Sequence, residues 1–247
     1  MIRRMEERSM NAWPSLQTVL YDGWVMRFSE GYTKRANSIS PIYSSALDIE
    51  EKIRYCEERY ASRNLPVVYK LARGCYPADL DQMLDKRGYR RHSETAVRIA
   101  DISENQNLTV PLDIAVEQNF TPEWINTLIA CTGMSDPHRI DVMRRMLSNI
   151  IWDKICVRIN LEEEPVACGF GVIEDGYMGI YDIVVNPSFR GRGYGRAIMQ
   201  GLLKEAWKQD IHKAYLQVVV GNTAAENLYD SLGFQEIYRY WYREKTP

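Results

Sequence analysis

The 247-residue sequence has no long apolar run, no excess of basic charge and no closely paired cysteines, and each absence excludes a class of protein. Its hydrophobic stretches are short and interrupted, so we expect no membrane-spanning segment. The opening residues MIRRMEER carry acids and lack an apolar core, unlike a secretory or transit signal. The formal net charge of −2 argues against a nucleic-acid partner, because nucleic-acid-binding proteins usually carry a clear basic excess.

The cysteines also argue against a disulfide framework or a zinc site. They are odd in number and widely scattered, at Cys56, Cys75, Cys131, Cys156 and Cys168. We therefore expect buried, reduced thiols in a cytoplasmic protein, with no metal. The chain is 45% apolar and 26% charged, which is typical of a globular protein, and it is long enough for one large domain or two small ones.

The second half of the chain shows the clearer pattern of elements. Thr121 followed by Pro122 predicts a helix start, and a second helix is expected after the segment SDPHRI, ending near Asn149. The segments IWDKICVRI, VACGFGVIE and YMGIYDIVV are strand-like and are separated by the turns EEEP and EDG. Three consecutive strands joined by short turns predict an antiparallel meander.

An amphipathic helix, a strand and a second helix are expected after this meander. The apolar face of the first helix consists of Gly195, Ile198, Met199, Leu202, Leu203 and Ala206. The nearly continuous apolar segment KAYLQVVV predicts a central strand. Asn222 is placed to cap the second helix, whose face contains Ala225, Leu228, Tyr229 and Leu232 and which ends at Gly233. The segment FQEIYRYWYR predicts a closing strand.

The first half has a similar plan. A hairpin is expected around Asp22-Gly23, followed by an extended segment TKRANSISPIY, a helix opened by Asp48 and a strand PVVYKLA. A helix over 78–87 then leads to Gly88.

Two segments of the sequence indicate a divergent internal repeat. Placing DQMLDKRGYRR over ENLYDSLGFQE aligns Gly88 with Gly233, and Leu84 with Tyr229. The polar stretch DISENQNLTVP is then the expected linker. We predict two related domains, at residues 1–108 and 109–247.

The stretch NPSFRGRGYGRAIM packs three arginines and three glycines between Arg190 and Arg196. A nucleoside-triphosphate loop would need GxxxxGK followed by Ser or Thr, which is absent. A dinucleotide fingerprint would need GxGxxG and an acid at the end of the next strand, yet KAYLQVVV is followed by Gly221-Asn222. Two interpretations stay open: a cradle of backbone N–H groups for a pyrophosphate at a helix start, or a glycine-rich turn with solvated arginines.

The residues Arg190-Gly191-Arg192-Gly193-Tyr194-Gly195 match the pattern [RQ]-x-x-G-x-[GA] of the GNAT superfamily of acyl-CoA-dependent N-acyltransferases. Downstream, NTAAENLYDSLGF resembles the second signature of that superfamily, and both signatures lie on the expected elements. The resemblance extends from about Leu112 to Arg243. It implies an α/β (α+β) fold of two GNAT-like domains, each a mostly antiparallel mixed sheet flanked by helices. The C-terminal domain is the complete one, while the first half resembles the degenerate N-terminal domain of tandem GNAT proteins.

The resemblance also implies which residues hold the acyl-CoA. The pyrophosphate would contact Arg190, Gly191, Arg192, Gly193, Tyr194, Gly195 and Arg196. The pantetheine arm would run beside the backbone of Ile183, Val184 and Val185, and Asn222 would contact the arm or its bound water.

For catalysis, the resemblance points to Tyr229 as the acid that protonates the departing thiolate. A base is needed as well, since an alkylammonium must lose its proton before it attacks. Many members of the superfamily place a glutamate on the fourth strand, where this chain has Gly179. Asp182 is therefore the expected base or amine anchor, ahead of Glu174 and His138. The first domain would shape the acceptor cleft and would not bind CoA.

Two functions follow from these features. The leading hypothesis is an N-acetyltransferase that moves the acetyl group of acetyl-CoA to a small-molecule or peptide amine by direct attack in a ternary complex. The alternative is a non-catalytic acyl-CoA-binding regulatory module. No metal, nucleic acid or membrane partner is expected, and the chain is expected to be a monomer or a homodimer.

Overall fold

The computed structural model describes residues 1–102 and 114–246, and over these ranges the chain forms seven α-helices and eleven β-strands. The helices are α1 (Ile2–Ala12), α2 (Ile49–Ala61), α3 (Leu80–Lys86), α4 (Pro122–Thr132), α5 (Pro137–Ser148), α6 (Tyr194–Lys208) and α7 (Thr223–Ser231). The strands are β1 (Gln17–Tyr21), β2 (Trp24–Phe28), β3 (Ile39–Ser40), β4 (Val67–Ala72), β5 (Arg90–Asp101), β6 (Ala115–Glu117), β7 (Asp153–Leu161), β8 (Glu164–Glu174), β9 (Tyr177–Val185), β10 (Lys213–Val219) and β11 (Gln235–Lys245).

The chain divides into two compact units. The first comprises Met1–Ala96, Val142–Ile150 and Tyr238–Pro247, and the second comprises Val97–Asp141 and Ile151–Ile237. The strands β5 and β11 and the helix α5 therefore contribute residues to both units. The domain boundary expected at residues 108 and 109, and most of the linker DISENQNLTVP, lie outside the described residues.

In the first unit, strands β1, β2, β3, β4 and β11 are neighbours in that order. The β1–β2 hairpin has the predicted two-residue turn, with Tyr21 opposite Trp24 and positive φ at Asp22 and Gly23. β3 and β4 are parallel, whereas β1–β2, β2–β3 and β4–β11 are antiparallel. Asp48 caps α2 as predicted by accepting a hydrogen bond from the Glu51 N–H.

Two predicted elements of this unit are shorter in the structure. Only Ile39–Ser40 of the segment TKRANSISPIY is strand, and a 3₁₀ turn occupies Lys34–Ala36. The side chain of Asn37 accepts hydrogen bonds from the N–H groups of Ser29 and Gly31 at 2.7 and 3.0 Å, which folds this segment back into a turn. The helix expected over 78–87 is confined to Leu80–Lys86.

The second unit contains the predicted meander, because β7 pairs with β8 and β8 with β9, both antiparallel. β10 is parallel to β9, and the strand order is β10, β9, β8, β7, β6. The predicted face of α6 is buried except at Gly195, which is half-buried. A Cβ atom at Gly201 would lie 2.5 Å from Ile114 Cδ1, so a larger residue at this point of α6 would displace the Ile114 side chain. The mixed, mostly antiparallel α/β fold class is confirmed.

Of the two helix starts predicted ahead of the meander, the first is confirmed and the second differs. Thr121 accepts a hydrogen bond from the Trp124 N–H, with Pro122 in the first turn of α4. α5 begins at Pro137, inside the segment SDPHRI rather than after it. In the described part of the chain, no helix is long and apolar enough to cross a membrane.

Candidate active site

The segment between β9 and α6 forms a turn that only glycine can make easily. After a 3₁₀ turn at Pro187–Phe189, Gly191 and Gly193 have φ of 75° and 85°, values that side chains other than glycine rarely adopt. A Cβ atom at either position would meet nothing within 4 Å, so the backbone angle and not the available space requires glycine. Gly193 is the N-cap of α6, and its carbonyl accepts a hydrogen bond from the Ala197 N–H at 3.0 Å. The turn therefore leads directly into the positive end of a long helix.

A cleft of about 700 Å³ lies beside this turn, and residues from β9, the turn and α7 line it. The lining residues are Ile183, Val184, Val185, Phe189, Arg190, Gly191, Gly193, Tyr194, Gly195, Arg196, Asn222, Ala224, Ala225, Asn227, Leu228 and Tyr229. The structure thus brings together Tyr229 and all the expected cofactor-binding residues except Arg192. The guanidinium of Arg192 lies over the Phe189 ring, 5.4 Å from its centroid.

Five of the lining residues were not predicted from the sequence: Phe189, Ala224, Ala225, Asn227 and Leu228. Four of them lie on α7 with Tyr229, and the helical repeat that placed Ala225 and Leu228 on one face with Tyr229 was the available signal. No residue of α7 is fully buried, because this face forms a wall of the cleft.

The cleft carries positive charge. Arg190 and Arg196 are its ionisable lining side chains apart from tyrosine, and no Asp, Glu or His is among the described lining residues. Arg190 Nε donates to the Val185 carbonyl at 3.4 Å, and Arg196 Nη2 donates to Ser231 Oγ at 2.6 Å. The cleft is suited to an anionic ligand, because two guanidinium groups and a helix N-terminus face the same space.

Among the described residues, one edge of β9 has no strand partner where it borders the cleft. The parallel ladder joins Tyr177–Ile180 to Lys213–Leu216, and the rest of β9, up to Val185, lies outside that ladder. The register of β9 with β8 shifts here, so that Asp182 and Ile183 oppose Gly169 in a β-bulge. A Cβ atom at Gly169 would lie 2.4 Å from Ile183 Cδ1, so a larger residue there would displace the Ile183 side chain at the bulge.

Tyr229 is half-buried in the cleft wall. Its ring makes an edge contact with Phe234, with centroids 6.1 Å apart. Loss of hydration raises the pKa of Tyr229 above its ordinary value of 10.0. Within the part of the chain that the structure describes, its hydroxyl makes no hydrogen bond. The phenol is therefore neutral at physiological pH and able to donate its proton into the cleft.

Asp182 lies at the bulge of β9, with φ of 48°, and it does not line the cleft. Asn222 caps α7 as predicted, accepting a hydrogen bond from the Ala225 N–H at 3.3 Å. Glu174 ends β8 opposite Tyr177, and His138 lies in the first turn of α5. Neither Glu174 nor His138 lines the cleft.

Gly179, where many GNAT members have a glutamate, is closed to any side chain. A Cβ atom there would lie 2.5 Å from the Tyr215 hydroxyl and 2.9 Å from Tyr181 Cε2. The hydroxyls of Tyr181 and Tyr215 are 3.1 Å apart, and both residues are buried. No local sequence signal predicts this arrangement, because β10 supplies Tyr215 from 34 residues away.

The first unit contains a separate cavity of about 770 Å³. Phe28 is the buried aromatic residue of its lining, and the Arg63 guanidinium lies 4.6 Å from that ring centroid. Arg145 and Glu30 form an ion pair at its rim, at 3.1 Å. No residue of the two signature segments lines this cavity, so we place the candidate active site in the cleft of the second unit.

All five cysteines are free thiols, four of them buried and Cys75 half-buried. The prediction of buried thiols is thus confirmed except at Cys75. Among the described residues, no group of three or more His, Cys, Asp or Glu side chains could hold a metal ion.

Comparison with known proteins agrees with this fold. A family model described as "Probable histone acetyltransferase Rv0428c C-terminal" matches residues 1–243. The chain is 29% identical over 249 residues to the "Uncharacterized N-acetyltransferase YobR" of Bacillus subtilis (strain 168), covering 99% of this chain and 98% of that protein. Over 57 residues it is 39% identical to the ribosomal protein bS18-alanine N-acetyltransferase of Escherichia coli (strain K12), covering 23% and 38% of the two chains.

The fold is shared with solved acetyltransferase structures. A GCN5-related N-acetyltransferase from Kribbella flavida superposes with a TM-score of 0.70 at 14% identity, covering 99% of this chain and 95% of that one. Fold and relatives together define a GNAT-type N-acetyltransferase. Within that superfamily, the chain belongs to the family of the probable histone acetyltransferase Rv0428c C-terminal region.

Proposed function

We propose that this enzyme transfers the acetyl group of acetyl-CoA directly to an amine of a peptide or small molecule in a ternary complex. The observation that carries the proposal is the lining of the cleft, where the glycine turn, two arginines, the open edge of β9 and the Tyr229 phenol face one space. The match to an alanine N-acetyltransferase of a ribosomal protein supports a peptide amine as the first acceptor to test.

The chain's own groups fit the cofactor by their chemistry. Arg190, Arg196 and the backbone N–H groups from Gly191 to Gly195 would hold its pyrophosphate. Hydrogen bonds to a charged phosphate contribute about 1.5–3 kcal/mol each, so several contacts give useful affinity without a metal. The polar edge of Ile183–Val185 would pair with the amides of the pantetheine arm as an added strand does. Bound acetyl-CoA supplies an activated acetyl thioester.

Tyr229 acts as the general acid in this proposal. Its neutral hydroxyl holds a proton in the cleft wall and gives it to the sulfur as the thiolate forms. Asp182 remains the candidate base or amine anchor from sequence, with a water molecule between its carboxylate and the amine. A water is needed because Asp182 does not line the cleft. The first unit is proposed to be a degenerate GNAT-like domain that contributes to acceptor binding.

The test is thiol release from acetyl-CoA with a panel of amines: an alanine-terminated peptide, a lysine peptide with a blocked N-terminus, and polyamines. We expect at least one amine to raise thiol release above hydrolysis, and Tyr229→Phe to lower kcat about a hundredfold. If acetyl-CoA binds but no amine raises thiol release, transfer is excluded for this panel and the non-catalytic binding module is favoured.

Asp182→Asn tests the base separately. A catalytic base at this position predicts a fall in kcat/KM for the acceptor of about tenfold or more. Loss of the acidic limb of the pH–rate profile should accompany that fall. An unchanged profile in Asp182→Asn would remove Asp182 from the mechanism while leaving the role of Tyr229 intact.

A further inference from the structure

The helix that carries Tyr229 is held to the second unit by few contacts. No residue of α7 is fully buried, so this helix is fixed less by core packing than α6, which buries seven residues. Its C-terminal end is held by the hydrogen bond from Arg196 to Ser231 Oγ and by the buried Phe234 ring beside Tyr229. The position of the phenol therefore depends on specific contacts at this end of the helix.

One of these contacts comes from a buried arginine that the proposed mechanism does not use. Arg98 on β5 is 9% exposed, and its Nη1 donates to Asp230 Oδ1 at 2.5 Å. Asp230 directly follows Tyr229 on α7. The Arg98 Nε atom is buried and has no hydrogen-bond partner among the described residues. Among the described residues, Asp230 is the carboxylate that pairs with the Arg98 guanidinium.

The two members of this pair differ in exposure, and the buried one holds the exposed one in place. The Arg98 side chain is 11% exposed, whereas that of Asp230 is 60% exposed. A buried guanidinium needs its counterion, because an isolated charge in the interior is costly. Arg98 therefore draws the carboxylate of Asp230, and the last turn of α7 with it, toward the sheet.

The Tyr229 hydroxyl has no hydrogen bond of its own to a described residue, so the backbone of this turn and the Phe234 contact fix its place. We propose that Arg98 is a positioning residue of the reaction, which holds α7 through Asp230 so that the Tyr229 hydroxyl keeps its place in the cleft wall. This inference rests on the proposed role of Tyr229 as the general acid. A misplacement of about 1 Å at a reacting group can lower a rate by up to about a hundredfold.

The experiment is a kinetic double-mutant cycle of Arg98→Gln and Tyr229→Phe in the full-length protein, with acetyl-CoA and the best acceptor of the amine panel. We expect Arg98→Gln to lower kcat about tenfold and to change the KM for acetyl-CoA less than about threefold. In the Tyr229→Phe background, the same substitution should lower kcat less than about twofold, since the group that it positions is absent. If Arg98→Gln lowers kcat by the same factor with and without the Tyr229 hydroxyl, the role of Arg98 is merely structural and the proposal is overturned.

A matched control is available in the same unit. Arg158 on β7 is partly buried and pairs with Glu117, with Nε and Oε1 2.7 Å apart. Arg158→Gln should leave kcat within about twofold of the starting protein, although it also removes a half-buried ion pair. A similar loss of kcat in Arg158→Gln would assign the effect of Arg98→Gln to general destabilisation and overturn the proposal.

Two further variants keep the test decisive. Asp230→Asn breaks the pair from its exposed side and should reproduce the loss of kcat even if Arg98→Gln does not fold. Arg98→Lys retains the charge and should recover part of kcat. If Tyr229→Phe leaves kcat unchanged, the proposed acid role fails and this inference fails with it. If Tyr229→Phe lowers kcat while Arg98→Gln and Asp230→Asn do not, only the positioning role is wrong.

Discussion

Leu84 and Tyr229 occupy the same place in two helix ends that are built alike. The Leu84 carbonyl accepts a hydrogen bond from the Tyr89 N–H at 3.0 Å, and the Tyr229 carbonyl accepts one from the Phe234 N–H at 3.0 Å. Tyr89 and Phe234 are both buried. The same bond also closes α2, α4 and α6, so it is a common helix ending, and the internal repeat stays a prediction.

The glycines of the two helix ends match as well. Gly88 and Gly233 have φ of 81° and 84°, and the N–H of each donates to the carbonyl three residues earlier. The two helices differ in their surroundings, because Leu84 is fully buried and Tyr229 faces a cleft. The same backbone geometry therefore supports a core residue in the first unit and a candidate catalytic residue in the second.

This difference predicts a large loss of stability on substitution of Leu84 and a small one on substitution of Tyr229. Leu84→Ala should lower the free energy of unfolding by about 2–5 kcal/mol, because it leaves a cavity in the core. Tyr229→Phe should change that free energy by less than about 1 kcal/mol, since its hydroxyl has no described partner to lose. Urea denaturation of both variants checks this. A larger loss of stability in Tyr229→Phe than in Leu84→Ala would contradict it.

Gly193 allows backbone strain to be separated from charge. Both Gly193→Ala and Gly193→Glu must adopt a φ of 85°, which costs about 1 kcal/mol, and space is available for either side chain. Only glutamate adds a negative charge beside Arg190 and Arg196. We expect the Kd for CoA, measured by calorimetry, to rise much more in Gly193→Glu than in Gly193→Ala. Equal affinities in the two variants would remove the turn from the cofactor site.

Gly169 tests whether the bulge of β9 shapes the cleft. Gly169→Ala places a Cβ atom 2.4 Å from Ile183 Cδ1 and 2.9 Å from Ile198 Cγ2, so Ile183 must move. Overpacking of this kind costs about 1–3 kcal/mol, and we expect weaker CoA binding. Adding Ile183→Val removes the nearest clashing atom and should restore part of the affinity.

Gly171→Ala is the matched control on the same strand. Its Cβ atom would meet Met178 Sδ at 2.4 Å, outside the residues that line the cleft, and a methionine side chain adapts readily. CoA affinity should be unchanged in this variant. Weakened binding in Gly171→Ala equal to that in Gly169→Ala would show that general distortion of β8 is responsible.

The proposed acid role of Tyr229, together with its raised pKa, predicts the pH dependence of kcat. The acid form persists until pH exceeds a value above 10.0, so its contribution is present at neutral pH and is lost only at higher pH. Between pH 6 and 9.5, ionisation of Tyr229 should therefore cause no fall in kcat. Any fall in this range should also be present in Tyr229→Phe. A descending limb near pH 8 that this variant abolishes would show that burial does not raise the pKa of the Tyr229 hydroxyl.

Local signals in the sequence determined much of the fold. Asp48, Thr121 and Asn222 each cap a helix as predicted, because a cap depends on residues within a single turn. The Asp22-Gly23 hairpin and the meander followed from strand-like segments with short turns. The glycine turn before α6 was also readable, since its conformation depends on the residues of the turn itself.

Only the tertiary structure decided which side chains meet. Tyr215 fills the space beside Gly179, and Arg98 pairs with Asp230, 132 residues away in the chain. Asp182 was predicted as the base or amine anchor, but it lies in the bulge opposite Gly169, where the alternation of side chains along β9 is broken, and it is outside the lining of the cleft. The sequence by itself determined the capped helix starts, the hairpin, the meander and the turn beside the cleft, because these depend on neighbours in the chain. The surroundings of Tyr229 depend on strand register and on contacts between distant elements, which no local pattern encodes.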